Sequence, residues 1–134
     1  MSKSATDPNS RILLTDSYEI IVKRVRGAVT DSASGITFDP VKRPGTSNLL
    51  TILSACTGTA PAVLADHYAE RNHGTLKKDV VEAVEEALRK PRAEFVRLRE
   101  DEAFLAQVAR DGAEKAQEHS DRTMKEIRNR VGLS

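Results

Sequence analysis

One stretch constrains the fold of this chain more than any other, the run Leu49-Leu50-Thr51-Ile52-Leu53-Ser54-Ala55-Cys56. Wound as a helix, Leu49, Leu50, Ile52, Leu53 and Cys56 cover nearly its whole circumference. A helix apolar on almost every side must be buried, so other segments have to close around it. Its approach is Arg43-Pro44-Gly45, with Thr46 or Ser47 as the expected cap, and Gly58 is the expected stop. Cys56 falls inside the apolar pattern and reads as a small core hydrophobe, not a nucleophile. At 134 residues the chain suits one domain, large enough to bury roughly two thirds of its unfolded surface. The expected fold class is mainly α, a helical bundle.

The remaining segments supply the partners. Ile12-Leu13-Leu14 is a short apolar run that suits either a small strand or a clasp. Asp16 with Glu19 three residues on predicts a capping box and a helix from Ser17 to Val29. Tyr18, Ile21, Val25, Ala28 and Val29 share its inner face, and Lys23, Arg24 and Arg26 point largely away. Gly35, Pro40, Pro44 and Gly45 make 30–45 a loop with room for a turn of strand at Ile36-Thr37-Phe38. Pro61 suits the first turn of a helix from Ala60 to Arg71, packed through Val63, Leu64 and Tyr68 and stopped by Asn72-His73-Gly74.

Beyond Thr75, the expected cap, Leu76, Val80, Val84, Ala87 and Leu88 recur at helical spacing. Pro91 should kink or break that helix, with Phe95 and Leu98 continuing the stripe. Asp101 is the expected cap of a further helix through Phe104, Leu105 and Val108. Gly112 marks a break, after which Ala113, Ala116, Ser120, Met124, Ile127 and Val131 step along one face expected to pack into the core.

Composition excludes several classes of function. The formal charge of +1 sets 21 Lys and Arg against 20 Asp and Glu, so no global basic field exists and a polyanion would need a local patch. With aromatics at 4% and no tryptophan, the chain lacks the platform of stacking residues that single-strand binders use. A lone cysteine forms no internal disulfide and fits a reducing compartment. No apolar run approaches the ~18 residues of a membrane span, and no membrane partner is expected. His67 and His73 do not share a helical face, and no cysteine or carboxylate cluster joins them, so no metal site is expected. His73 reads instead as a helix-end residue.

Local cationic patches do exist. After Ser120, Arg122, Lys125, Arg128 and Arg130 meet only Asp121 and Glu126. The helix macrodipole accounts for cations at that end, and phosphate binding is the alternative. Lys115 and the pair Lys77-Lys78 are further candidates.

At the other end, Met1-Ser2-Lys3-Ser4 surrounds one ammonium with small residues and continues to Ser10 without an apolar anchor. It is either an ordinary loose start or a mobile point charge suited to phosphate oxygens. Followed by Asp7-Pro8-Asn9 and by Ser10-Arg11-Ile12-Leu13-Leu14-Thr15-Asp16, it resembles the signature loop of class I aminoacyl-tRNA synthetases, and most of all the tryptophanyl-tRNA synthetase family. The resemblance continues through Ala28-Val29-Thr30-Asp31-Ser32, Phe38-Asp39-Pro40, Arg43-Pro44-Gly45-Thr46-Ser47-Asn48-Leu49-Leu50 and Gly112-Ala113-Glu114-Lys115-Ala116, ending in Val131-Gly132-Leu133. It covers nearly the whole chain, but only the C-terminal part of such an enzyme.

The resemblance implies a division of labour. Residues 1–16 would be the mobile ATP-contacting loop and its connector, and 17–134 the helical region that binds the anticodon of the tryptophan tRNA. Met1, Ser2, Lys3 and Ser4 would contact ATP, supplied as Mg-ATP, and Lys3 would be catalytic, stabilising charge on the phosphates in the transition state. Lys77, Lys78, Lys115 and Arg122 are the candidate tRNA contacts, with Lys23, Arg24 and Arg26 as alternatives to a merely solvated face.

The first Lys of the five-residue signature is absent and Ala5-Thr6 are extra relative to the commoner spacing. No Gly-rich nucleotide fold, His-Ile-Gly-His-like stretch or tryptophan pocket is present, so the α/β domain that binds ATP and tryptophan is expected to lie before Met1. The chain alone is then expected to bind no cofactor and not to aminoacylate. The intact enzyme would be a homodimer of the bacterial cytoplasm or the mitochondrial matrix. The alternative is a stand-alone RNA-binding or regulatory module derived from a synthetase.

Overall fold

The apolar run at Leu49 forms the helix α2, Pro44–Thr57, in a computed structural model of the chain that describes residues 7–133. Leu49, Leu50 and Leu53 are buried, with Ile52 and Cys56 packed against them at the rim. The helix starts earlier than expected. Pro44 occupies its first turn, where a fixed φ and a missing N–H suit the position. Arg43 stands at the N-cap, so Thr46 and Ser47 are buried inside the first turn and do not cap it. Gly58 ends α2 in the left-handed region (φ 75°) and its N–H reaches the Ser54 carbonyl at 2.8 Å.

Preceding α2, a single 3₁₀ turn at Pro8–Ser10 leads into α1, Tyr18–Gly27. Ile21 and Val25 bury its inner face, whereas Tyr18 and Val29 are exposed, contrary to expectation. The capping box does not form. Asp16 is buried, takes the Leu13 N–H at 2.6 Å and binds the Arg24 guanidinium, while Ser17 stands at the N-cap. A half-buried guanidinium within reach holds that carboxylate more strongly than helix amides do.

Neither expected strand is present among the described residues. Ile12-Leu13-Leu14 is a clasp: the Arg11 carbonyl accepts from Arg24 at 2.8 Å and the Leu14 carbonyl from Arg92 at 3.1 Å. Ile36 is buried, and its N–H makes one bond, to Ala69 O at 3.3 Å, without a ladder.

α3, Pro61–Tyr68, packs on α2 after a turn of 114°. It buries Leu64, Ala65 and Tyr68 and leaves Val63 outside. α4, His73–Glu100, begins before Thr75, because Asn72 supplies the cap by accepting the Thr75 N–H at 2.9 Å. Its Leu76, Val80, Val81 and Val84 are buried, Leu88 lies at the rim and Ala87 is exposed. Pro91 does not end the helix. Pro91 and Ala87 both face solvent, so the carbonyl that loses its helical donor is left to water.

The chain divides into two units, Met1–Arg92 and Ala93–Ser134. Every buried hydrophobic residue among those described belongs to the first. In the second, α5, Glu102–Val131, is capped as expected by Asp101, whose side chain accepts the Phe104 N–H at 3.0 Å. It runs unbroken through Gly112, since one glycine costs a helix only about 1 kcal/mol. None of its residues is buried: Ala113, Ala116, Ser120, Met124, Ile127 and Val131 form an open stripe, not core. Among the described residues no single helix is long and apolar enough to cross a membrane.

Candidate functional site

The loop between α1 and α2 is organised by one arginine. The Arg43 Nε and Nη2 donate to Asp31 at 2.7–3.0 Å, Nη1 to Thr37 Oγ1 at 3.0 Å, and Nη2 also to the Ala33 and Gly35 carbonyls at 3.2 and 3.0 Å. The Thr46 hydroxyl donates to Asp31 at 2.8 Å and lies 3.0 Å from His73 Nε2. The Arg43 guanidinium holds the Asp31 carboxyl well below the usual carboxylate range. Beside this hub, Ser47 Oγ accepts the Asp39 N–H at 2.9 Å, and the Asp39 carboxylate accepts the Val41 and Lys42 N–H groups. Two glycines are sterically required here. A Cβ on Gly35 would come within 2.6 Å of Ala69 O, and one on Gly45 would run into the Val29 carbonyl. Sequence reasoning did not find this hub. The available signal was the clustering of Gly and Pro around Asp31 and Arg43. His73, expected at a helix end, opens α4 and closes the hub.

α1 and the start of α4 frame a cavity of about 460 Å³. Tyr18, Val22 and Arg26 line it from α1, and His73, Lys77 and Lys78 from α4. Lys77, a candidate contact, spans the C-terminal carbonyls of α1, donating to Arg26 O at 3.0 Å and Ala28 O at 2.8 Å. Its charge is therefore fixed at the wall by the ordinary preference for cations at a helix C-terminus. Lys78 is mostly exposed and pairs loosely with Glu82 at 3.8 Å. Arg26 and Tyr18 are exposed and have no side-chain hydrogen bond, ion pair or ring partner among the described residues. Three cations thus meet one aromatic ring on an apolar backing.

A larger cleft of about 580 Å³ lies between the 7–12 connector and α1 and α2. Its cations are committed differently, because Arg24 binds Asp16 and the Arg11 carbonyl, and Arg11 is itself engaged. Lys23 is exposed on α1. The other two candidate contacts belong to the second unit. Lys115 and Arg122 are exposed two turns apart on α5, roughly 10 Å along its axis, on the side opposite the open apolar stripe. Glu118 and Glu126 share that side and dilute its charge. The Met1-Ser2-Lys3-Ser4 loop, with Lys3, lies outside the described residues. Among those described, no three His, Cys, Asp or Glu side chains cluster to hold a metal ion. Cys56 packs against the core, where burial pushes its thiol pKa up.

Residues 1–90 match the family described as "tRNA synthetases class I (W and Y)", and the chain belongs to that family. Among curated proteins, it is 38% identical over 133 residues to the "Tryptophan--tRNA ligase" of Caldanaerobacter subterraneus, covering 99% of this chain and 40% of the relative. It is 40% identical over 133 residues to "Tryptophan--tRNA ligase 1" of Streptomyces coelicolor, covering 99% of this chain and 39% of the relative. The crystal structure of tryptophanyl-tRNA synthetase from Mycoplasma pneumoniae aligns with a TM-score of 0.60 and 30% identity, over 70% of this chain and 32% of that one. Within that class, these relatives and the solved structure are all tryptophan–tRNA ligases, and they are what this chain is similar to. The chain spans about 40% of the length of the curated relatives it matches.

Proposed function

We propose that the chain is the C-terminal portion of a tryptophan–tRNA ligase, supplying the catalytic loop lysine and the tRNA-binding helices. The observation that carries this reading is identity of 37–40% with several such ligases over 133 residues of this chain. In the intact enzyme, residues 1–16 close over ATP while tryptophan is activated to its adenylate. Lys3 then meets the negative charge developing on the phosphates, flanked by Met1, Ser2 and Ser4. A cation delivered there in a water-excluded site lowers the barrier most where charge develops. ATP, as Mg-ATP, and tryptophan bind the α/β domain of the intact enzyme, which acts as a homodimer. Residues 17–134 bind the tryptophan tRNA, with Lys77, Lys78, Lys115 and Arg122 as the cationic contacts. The reported relatives are bacterial, which favours the bacterial cytoplasm over the mitochondrial matrix.

A chimaera tests the loop. This chain replaces the aligned stretch of the Caldanaerobacter relative, and tryptophan-dependent ATP–pyrophosphate exchange is measured. Lys3→Ala is expected to lower the exchange rate about 10²–10³-fold with little change in tryptophan affinity. An unchanged rate would remove Lys3 from the chemistry.

A further inference from the structure

We propose that the cavity between α1 and the start of α4 holds one unpaired nucleotide of RNA, its base against Tyr18 and its phosphate at Arg26 and Lys78. This deepens the tRNA-binding reading above and rests on it. The cavity volume, about 460 Å³, lies within the range of small-ligand sites. Its chemistry is divided as a nucleotide is divided. Tyr18, 47% exposed, presents a ring that the fold does not use for packing, flanked by the apolar walls of Val22 and Val81. A base has a π-face that stacks on such a ring whatever its identity. On the cationic side, the Arg26 guanidinium has no partner among the described residues. The Lys78–Glu82 pair, at 3.8 Å and largely exposed, yields easily to a phosphate. Lys77, held on the Arg26 and Ala28 carbonyls, keeps a positive charge at the wall without moving.

Other ligands use only part of this arrangement. A bare anion would satisfy the cations and leave Tyr18 and the valines wet. Metal ions are repelled by three cations with no carboxylate in the lining. Duplex RNA keeps its bases stacked on one another, so its phosphates could approach but no base could reach the ring. The scarcity of aromatics excludes a stacking platform of several residues; it does not exclude one ring serving one base.

The test uses the full chain, tryptophan tRNA, and a short labelled single-stranded ribo-oligonucleotide beside a duplex of equal length. Binding is followed by fluorescence anisotropy at two salt concentrations. Tyr18→Ala is expected to weaken single-strand binding about tenfold, and Tyr18→Phe, which keeps the ring, to restore most of it. Arg26→Ala is expected to weaken binding and to flatten the salt dependence by about one unit of slope. All three variants alter exposed side chains, so circular dichroism should show an unchanged fold. Wild-type tRNA affinity in Tyr18→Ala and Arg26→Ala would overturn this subsite while leaving RNA binding by the helices standing. So would equal binding of duplex and single strand, or competition by inorganic phosphate that Tyr18→Ala does not alter, which marks an anion site only. Failure of the unsubstituted chain to bind tRNA at all would overturn both the subsite and the reading beneath it.

Discussion

At Asp31 a single carboxylate holds a 16-residue loop, because Arg43 bridges it to Thr37 and to two backbone carbonyls. The guanidinium and the Thr46 hydroxyl both favour the ionised form, so the folded pKa lies below the ordinary value. A carboxyl with a depressed folded pKa contributes stability that is complete above its unfolded value, about 3.9, and is lost as pH falls from there toward the folded value. Asp31→Asn should therefore destabilise the chain at pH 7, and the gap between wild type and variant should close as pH falls below about 4. Urea unfolding at pH 7, 4 and 3 measures this. A gap that stays constant across those three pH values would show that the hub draws nothing from the charge. None of this was legible in the sequence. Asp31 and Arg43 are twelve residues apart in a Gly- and Pro-rich loop, and periodicity carries no information where the chain has no period. Asp16 failed for a related reason. Its spacing to Glu19 fits a capping box, but spacing cannot show that Arg24, within α1 itself, returns to the same carboxylate.

Among the elements, what the sequence showed well was each buried face. Leu49, Leu50 and Leu53 in α2, and Leu76, Val80 and Val84 in α4, all point inward as their spacing predicts. Helix ends were harder. Asn72, not Thr75, caps α4, and Pro44 sits inside α2. A cap is chosen by local competition among several qualified residues, and position alone does not rank them. Breakers were overweighted as well: Pro91 lies in an exposed turn where water replaces the lost bond, and Gly112 keeps its N–H and costs its long helix only about 1 kcal/mol. The same physics separates two glycine substitutions. Gly45→Ala puts a Cβ against the Val29 backbone carbonyl and should cost about 1–3 kcal/mol. In α5, Gly112 has nothing within 4 Å of an added Cβ, so Gly112→Ala should gain up to about 1 kcal/mol of helix propensity. Thermal melts by circular dichroism should move in opposite directions, and an unmoved midpoint for Gly45→Ala would contradict the close approach of α2 to the 28–30 segment.

For the whole molecule, the family was readable because its blocks occur in order along the chain, and the comparisons bear that reading out. The open stripe on α5 was misread as core because a periodic apolar face shows that a helix has a side to bury, not what buries it. Cationic contacts were legible only as candidates. Lys77 proved to have a structural task on the α1 carbonyls, while Arg26 and Tyr18 became pertinent through the cavity they share with Lys78. The central claim is that these helices recognise tryptophan tRNA. Its most direct test is titration of the purified chain with that tRNA at two salt concentrations, beside a tRNA altered in the anticodon. The account predicts binding that weakens as salt rises and weakens further with the altered anticodon. Equal affinity for both tRNAs would reduce the helices to a nonspecific cationic surface, and no binding at either salt would contradict the claim outright.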